Sequence, residues 1–109
     1  MDISADPKII WVNKKIIDQY TCNLKPRDMR LLSIMINDMD NHNSLIRNTK
    51  TLAREMQASI NTVLRAVNKL KSANLLTVEK YGSGKRYVIN NDIFRKYAVN
   101  DTNMQHIVK

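Results

Sequence analysis

Polar and basic side chains crowd two stretches of the chain, SINTVLRAVNK and KYGSGKR, which begin at Ser59 and Lys80. Arg65 carries paired N–H donors that fit the edge of guanine, and the amides of Asn61 and Asn68 fit the edge of adenine. In the second stretch, Lys and Arg flank the only two glycines of the chain. Side chains of these kinds bind base edges and neutralise phosphates, so the chemistry that they indicate is recognition of a nucleic acid.

The net charge of +8 is confined to residues 47–96. That stretch has eleven Lys/Arg and three Asp/Glu (11 − 3 = +8), whereas 1–46 has six of each and 97–109 one of each. A diffuse excess would indicate solubility only, while a segregated excess favours a face that binds a polyanion. No acid lies between Glu55 and Glu79, although a solvated helix face usually carries both signs of charge.

The remaining composition limits the class of protein. The 109 residues are typical of one domain, and 43% of them are hydrophobic, enough for a small core. No run approaches the roughly 20 apolar residues of a membrane span, and the N-terminus has no signal-peptide pattern. The single cysteine, Cys22, cannot form an internal disulfide and is expected to pack rather than react. We therefore expect a cytoplasmic protein that does not associate with a membrane.

Candidate catalytic and metal-binding residues are sparse. The chain has no phosphate-binding loop and no clustered pair of acids, and His42 and His106 lack the spacing of metal ligands. The acidic run DMDNHN could begin a calcium loop, but an EF-hand would need Gly and Glu where this chain has Asn43 and Thr49. We expect a polar turn there, and no enzymatic activity, metal, cofactor or small-molecule substrate.

Two helices must position the first polar stretch, and both have clear start signals. Asn48 is a good N-cap for a helix over 49–56, and Ser59 is a good N-cap for a helix over 60–73. The short break between them is typical of a helix-turn-helix, although Gln57 stands where that motif usually has Gly. The apolar residues expected on the inner faces of the pair are Leu52, Ala53, Met56, Ala58, Val63, Ala66, Val67 and Leu70.

The outer face of the second helix decides what such a motif would do. In a recognition helix, the N-terminal part meets base edges in the major groove of DNA. Ile60 and Leu64 are apolar residues on this face, and contact with a thymine methyl would explain them. The other interpretation is an ordinary amphipathic helix with a solvated outer face. The predicted DNA-reading residues are Ser59, Ile60, Asn61, Thr62, Arg65, Asn68 and Lys69.

A predicted β-hairpin follows the two helices. LLTVEKY has the alternation of a strand, KRYVI is its partner, and Gly-Ser-Gly makes the reversal. We expect Tyr81 and Tyr87 to form a cross-strand pair beside the tip. A basic hairpin after a recognition helix is typical of the wing of a winged helix, and the alternative is an exposed hairpin without a ligand. The predicted wing and backbone contacts to DNA are Arg47, Asn48, Lys50, Lys80, Ser83, Lys85 and Arg86.

Shorter signals predict the segments that precede this motif. Residues 9–12 are expected to form a strand or an arm, and residues 14–20 a brief helix. Pro26 favours the start of a helix, and apolar residues at helical spacing continue that helix over 27–39. A very short strand is expected at 44–46.

The end of the chain completes the predicted fold. In NNDIFRKY, Asn90 or Asn91 is expected to cap a last short helix. The predicted fold class is α+β, mainly α: a winged helix-turn-helix with a C-terminal two-stranded β-wing. The predicted divisions of the chain are an N-terminal arm and short helix at 1–25, the winged helix-turn-helix DNA-binding domain at 26–97 and a flexible tail at 98–109.

Five short motifs occur in the predicted domain: an MD-x-x-N turn, a TLA helix, an S-x-x-TV-x-RAV-x-x-L helix, an NLL-x-V-x-K-x-G wing and a Y-x-IN strand. In these motifs the chain resembles the small plasmid replication proteins of the RepL type. The resemblance implies a DNA-binding replication initiator that marks an origin for host replication proteins and has no enzymatic activity. Leu64 departs from it, because a polar or basic residue is expected there. The resemblance implies that the origin would be read by Ser59, Asn61, Thr62 and Arg65, with wing contacts from Lys80, Lys85 and Arg86.

Other functions use the same scaffold. A winged-helix transcriptional repressor or regulator would bind a two-fold symmetrical operator in its own promoter, whereas an initiator would bind a site, often repeated, inside a replication origin. A winged helix used only for protein interaction would have an apolar or acid-neutralised face, which this sequence does not have. RNA binding would require exposed aromatic side chains on which bases stack.

We expect the chain to dimerise, because one such module buries little DNA surface for tight specific binding. The candidate dimer surface is the apolar run at 9–12 together with the helix at 29–39. The alternative is that these residues complete the core of a single chain. The expected partners are double-stranded DNA, a second copy of the chain and host replication proteins.

Overall fold

Four helices and five strands occur in the computed structural model, which describes residues 8–98. The tail predicted to be flexible lies outside the described residues, except for Ala98. From the N-terminus the elements are β1 (Lys8–Val12), α1 (Ile17–Thr21), α2 (Pro26–Asp38), β2 (Ser44–Arg47), α3 (Thr49–Met56), α4 (Ile60–Ser72), β3 (Leu76–Tyr81), β4 (Gly84–Ile89) and β5 (Phe94–Ala98).

The strands form two antiparallel sheets. One has three strands in the order β2-β4-β3, and the other pairs β1 with β5. Helices α2 and α3 both pack against α4, and one face of the three-stranded sheet closes the core over them. The largest fully buried side chains are Tyr87, Leu31, Leu32, Met35, Met39, Leu52, Leu70, Leu75, Ile89, Ile93 and Val63.

Helix α2 supplies the centre of this core. Pro26 starts the helix, and the Asp28 carboxylate accepts a hydrogen bond from the Lys25 backbone N–H at 3.0 Å, which caps the first turn. Leu31, Leu32 and Met35 are at most 1% exposed. These side chains complete the core of one chain and are not available to a second copy. Met29, one of the apolar residues at helical spacing in this helix, is instead 36% exposed.

The helix-turn-helix has the caps that the sequence predicts. The Asn48 side chain accepts from the Thr51 N–H at 2.8 Å, and the Ser59 hydroxyl accepts from the Thr62 N–H at 3.1 Å. Between the helices Gln57 adopts a left-handed conformation, with φ 54° and ψ 46°. A residue other than Gly is strained by about 1 kcal/mol or more in this conformation. Gln57 therefore adopts the left-handed conformation that Gly usually adopts in this turn, and the rest of the motif keeps its geometry.

The wing is the hairpin β3–β4, and a two-residue turn joins its strands. Gly82 has φ +59°, a conformation that L side chains rarely adopt. Gly84 belongs to β4, and a Cβ there would lie 3.3 Å from the Arg47 backbone oxygen. The two glycines therefore have separate causes: a left-handed turn residue and a close approach between β4 and β2.

The two tyrosines of the wing do not form the predicted cross-strand pair. The register places Tyr81 opposite Gly84 and Tyr87 opposite Val78. Since side chains alternate along β4, the tyrosines lie on opposite faces of the sheet. Tyr87 is 1% exposed and Tyr81 is 54% exposed. Burial raises the pKa of the Tyr87 hydroxyl, and its hydrogen bond to the Thr49 side chain opposes that shift. Tyr87 is therefore neutral at physiological pH and links the wing to the start of α3.

The predicted last helix is wrong, because NNDIFRKY turns and continues as β5. The Asn90 side chain accepts from the Asp92 N–H at 2.9 Å, so the predicted cap is present, but it closes a single turn. The strand that follows pairs with β1 in a register that runs from Lys8–Ala98 to Val12–Phe94. Its partner is thus at the other end of the described chain, and no local signal identifies it.

Asn43 joins the turn after α2 to both sheets. It has φ 62°, is 4% exposed, and its amide donates to the carbonyl oxygens of Ile89 at 3.0 Å and Phe94 at 2.7 Å. The Ile89 N–H donates in turn to the Asn43 carbonyl at 2.8 Å. Few residues other than Asn combine tolerance of the left-handed conformation with a two-donor amide.

Candidate nucleic-acid interface

Helix α4 presents a line of polar side chains on the side opposite the core. Val63, Ala66 and Leu70 bury the inner side, whereas Asn61 and Arg65 are exposed, as is Asn68 farther along. Spacings of four and three residues place the exposed three along one line. Within residues 8–98, none of these three side chains has a hydrogen-bond or ion-pair partner. Their polar atoms are thus available for base edges on a helix whose orientation the core fixes.

The start of α4 differs from this line, because its two hydroxyl groups already form hydrogen bonds within the protein. The Ser59 hydroxyl, besides capping the helix, donates to the Thr62 hydroxyl at 2.9 Å. Ile60 is 43% exposed, as the sequence predicts for an apolar contact with a base. Leu64, expected on the same solvated face, is only half exposed because it lies toward the flank of the helix. Lys69 is exposed on the flank of α4 that carries Thr62.

A row of three cations crosses the wing on the face that continues the core. Lys85 is directly opposite Lys80 of β3 and directly opposite Arg47 of β2. Like charges in directly opposite positions destabilise a sheet. In the described part of the chain, neither lysine has an acidic partner. We call Arg47, Lys85 and Lys80 the helix-side row. The repulsion between its lysines destabilises the free protein, and a bound polyanion would reduce that repulsion.

The other face of the wing carries a row that is charge-compensated. The Arg86 guanidinium donates to the Glu79 carboxylate at 3.1 Å and to the Ser44 hydroxyl at 3.0 Å. Ile46 lies on the far side of Arg86 in the same row. Arg86, which the sequence places with Lys85 as a wing contact, therefore already has partners within the protein. Ser83 is exposed at the tip between the two rows.

The junction of β2 and α3 holds the remaining predicted contacts. Arg47 donates to the Asp38 carboxylate at 2.9 Å and lies 4.0 Å from that of Glu55. Asn48 is exposed, but its side-chain oxygen is the cap of α3. Lys50 is exposed in the first turn of α3, without an ion-pair partner in the described region. Of this group, Lys50 has the most freely available charge.

Two arginines that the sequence analysis did not select lie beside the helix-turn-helix. Arg27 and Arg30 of α2 are exposed, and they line the same open cleft as Gln57 and Thr62. No signal in the sequence identified them, because residues 1–46 have a net charge of zero. The burial of Asp28 within the first turn of α2 is the feature that separates these cations from a compensating acid.

Alternative sites are not evident in the described residues. Between residues 8 and 98, no group of three or more His, Cys, Asp or Glu side chains could hold a metal ion. None of the helices in this range has the length and apolar content needed to cross a membrane.

The fold is similar to solved winged-helix structures. One is the homodimeric winged helix-turn-helix DNA-binding domain of a possible ArsR-family transcriptional regulator from Mycobacterium bovis, with TM-score 0.52 and 18% identity. That match covers 72% of this chain, and this chain spans 65% of the other. Another is a possible transcriptional regulator from Methanosarcina mazei, with TM-score 0.50, 21% identity, and coverage of 95% and 83% respectively. At these identities the likeness confirms the predicted winged helix-turn-helix fold and no more.

Sequence families give a closer relationship. No curated protein matches the chain significantly. The family model described as Firmicute plasmid replication protein (RepL) matches residues 9–107. This match includes the whole winged helix and β1 except for Lys8, and it confirms the resemblance carried by the short motifs. The chain belongs to the Firmicute plasmid replication protein (RepL) family.

Proposed function

We propose that this chain initiates plasmid replication by binding a specific double-stranded DNA sequence in the origin, without enzymatic activity of its own. The observation that carries the proposal is the line of unpartnered polar side chains on α4, Asn61, Arg65 and Asn68, on a basic winged helix of the RepL family. Amide and guanidinium groups in such a line match the donor and acceptor pattern of the major groove.

Affinity and sequence preference come from different parts of the interface in this proposal. Lys80, Lys85 and Lys50 displace counterions from the phosphates, which gives salt-sensitive binding to any sequence. Arg65 and the two asparagines of α4 then read base edges, and each good bidentate contact adds roughly 1–3 kcal/mol of discrimination. Ser59 contributes by fixing the start of α4, and Thr62, whose hydroxyl accepts from Ser59, keeps its own O–H for a contact to phosphate.

The proposal includes partners in the cytoplasm. A homodimer would double the DNA surface that one small module buries, and the domain from M. bovis with the same fold is homodimeric. Two apolar residues of the predicted dimer surface remain available: Ile9 on β1, which is 42% exposed, and Met29 on α2, which is 36% exposed. Host replication proteins would then assemble on the bound origin.

A direct test is fluorescence anisotropy with duplexes from the DNA that flanks the gene, against scrambled duplexes of equal length, across a salt series. We expect a specific-to-scrambled affinity ratio above about 10³ that persists at about 0.2 M salt. The preferred duplex should lie in a region that supports replication when it is cloned into a plasmid without an origin. Equal binding to both duplexes that vanishes with salt would contradict the proposal.

A second candidate function is transcriptional repression, which is favoured by the likeness of fold to two possible transcriptional regulators. The same binding experiment separates the two candidates by the position of the site. A symmetrical site that overlaps the promoter, with no effect on replication of the cloned segment, would identify a repressor.

A further inference from the structure

The exposed surface at the start of α2 is purely basic, although its sequence is balanced in charge. Asp28 is the acid of this turn, but it is 5% exposed, and its carboxylate accepts the Lys25 N–H. Arg27 and Arg30 point outward and lie one helical turn apart. Within residues 8–98, neither arginine has an ion-pair partner. The capping of α2 thus removes the negative charge from the surface and leaves the positive charge there.

This pair of arginines borders the proposed recognition helix. Arg27 and Arg30 line one open cleft with Gln57 of the turn and Thr62 in the first turn of α4. The left-handed Gln57 brings α4 back across α2, so residues that are more than thirty positions apart in sequence share this cleft. DNA that places its major groove on α4 would therefore bring a phosphate strand past the start of α2.

The position of these cations is unfavourable for the stability of the free protein. The N-terminus of a helix carries a partial positive charge, and a cation in the first turn destabilises it by a few tenths of a kcal/mol or more. Arg27 is in that first turn, and Arg30 follows one turn later at a spacing where like charges also repel. A ligand with negative charge at the cleft would reverse both effects.

We propose that Arg27 and Arg30 form a third phosphate-binding site for DNA, separate from the wing and from the reading face of α4. This inference rests on the proposed DNA binding and adds to it. The side chains hold the backbone of the strand that leaves the major groove on the α2 side, while the helix-side row of the wing holds the backbone elsewhere. The site contributes affinity and orientation, but no sequence preference.

The test compares the wild type with the Arg27→Gln, Arg30→Gln double variant by fluorescence anisotropy on a scrambled duplex across a salt series. Each phosphate contact adds about 0.9 to the slope of log affinity against log salt, so the double variant should lose about 1.8. The affinity ratio between gene-flanking and scrambled duplexes should stay unchanged. Thermal unfolding should show a midpoint equal to or above that of the wild type, which a purely structural role would not produce.

Matched controls remove the same charge from another place. Lys14→Gln with Lys15→Gln also removes two exposed cations from the N-terminal half, but these residues do not line the cleft, and the slope should stay close to that of the wild type. Arg27→Lys with Arg30→Lys keeps the charge and should keep most of the slope.

The outcomes separate this inference from the proposed function. A double variant with the slope of the wild type, or with the same loss as the Lys14 and Lys15 control, overturns the phosphate site and leaves specific binding by α4 intact. A changed affinity ratio would assign Arg27 or Arg30 to base reading and also overturns the site as proposed. A wild type that binds neither duplex would overturn both proposals.

Discussion

The two faces of the wing carry rows of side chains that are offset by one residue and that differ in how far their charges are compensated. Within residues 8–98, Arg86 on the outer face has an acidic partner, and the two lysines on the helix side have none. On the helix side, Arg47, Lys85 and Lys80 face one another across three strands, and both lysines lack a partner among the described residues. On the outer side, Arg86 is bonded to Glu79 and Ser44. Lys85 and Arg86 are adjacent in sequence, yet strand alternation places them on opposite faces of the sheet, with different partners.

The same difference, between side chains bonded within the protein and side chains without a partner, separates the asparagines. Asn61 and Asn68 on α4 have amides without partners in the region that the structure describes, whereas both donor contacts of Asn43 go to backbone carbonyls. An amide that is fully bonded within the protein stabilises the fold, and one that is unbonded and exposed is available to a ligand.

The largest effect is expected from Asn43→Ala. The change leaves the Ile89 and Phe94 carbonyls without the amide that donates to them. It also places Ala at φ 62°, a left-handed conformation that Asn tolerates better than Ala because the Asn side chain can hydrogen-bond locally. We expect a loss of about 3 kcal/mol in the free energy of unfolding, measured by urea denaturation. Asn43→Gly should recover about 1 kcal/mol of this loss, because it removes only the steric part. The exposed neighbour Asn41 is the control, and equal losses at the two positions would contradict the structural role of Asn43.

Removing the helix-side lysines should weaken DNA binding without harming the fold. For Lys80→Ala with Lys85→Ala we expect a salt slope lower by about 1.8 and a similar loss of affinity for every duplex, because phosphate contacts carry no sequence information. Stability should stay constant or rise slightly, since a like-charged cross-strand pair is lost. Anisotropy titrations and thermal unfolding measure the two quantities. A loss of stability with an unchanged slope would assign these lysines to the fold.

Arg86→Ala should have the smallest effect on binding. Its ion pair with Glu79 is largely exposed and screened by water, so we expect a stability loss below about 1 kcal/mol. The slope of log affinity against log salt should change by less than about half of the value of roughly 0.9 that one phosphate contact contributes. The reason is that Glu79 and Ser44 hold the guanidinium. Glu79→Gln is the informative companion, since it frees Arg86 and should raise the affinity for scrambled DNA. An Arg86→Ala slope equal to that of Lys85→Ala would contradict the distinction between the faces.

Local signals were sufficient for the helix-turn-helix. The Asn48 and Ser59 caps and the apolar spacing of α4 depend on residues within one or two turns, and all of them were predictable. Strand β5 was not, because its partner β1 is more than eighty positions away and its own residues also fit a capped helix. The different surroundings of Lys85 and Arg86 depend on the register of three strands. The net charge of a segment could not reveal Arg27 and Arg30, because it counts Asp28 as a compensating acid although that residue is buried.

The most direct test of the account is the specific-to-scrambled affinity ratio of Arg65→Ala, measured beside Lys85→Ala with the same duplexes at one salt concentration. Arg65 lies at the centre of the unpartnered line on α4, and Lys85 at the centre of the helix-side row. We predict that Arg65→Ala lowers the ratio by roughly 5- to 150-fold, the equivalent of 1–3 kcal/mol, while Lys85→Ala lowers both affinities and leaves the ratio in place. A ratio that is untouched by Arg65→Ala, with both variants weakened alike on all DNA, would contradict the claim that α4 reads the sequence.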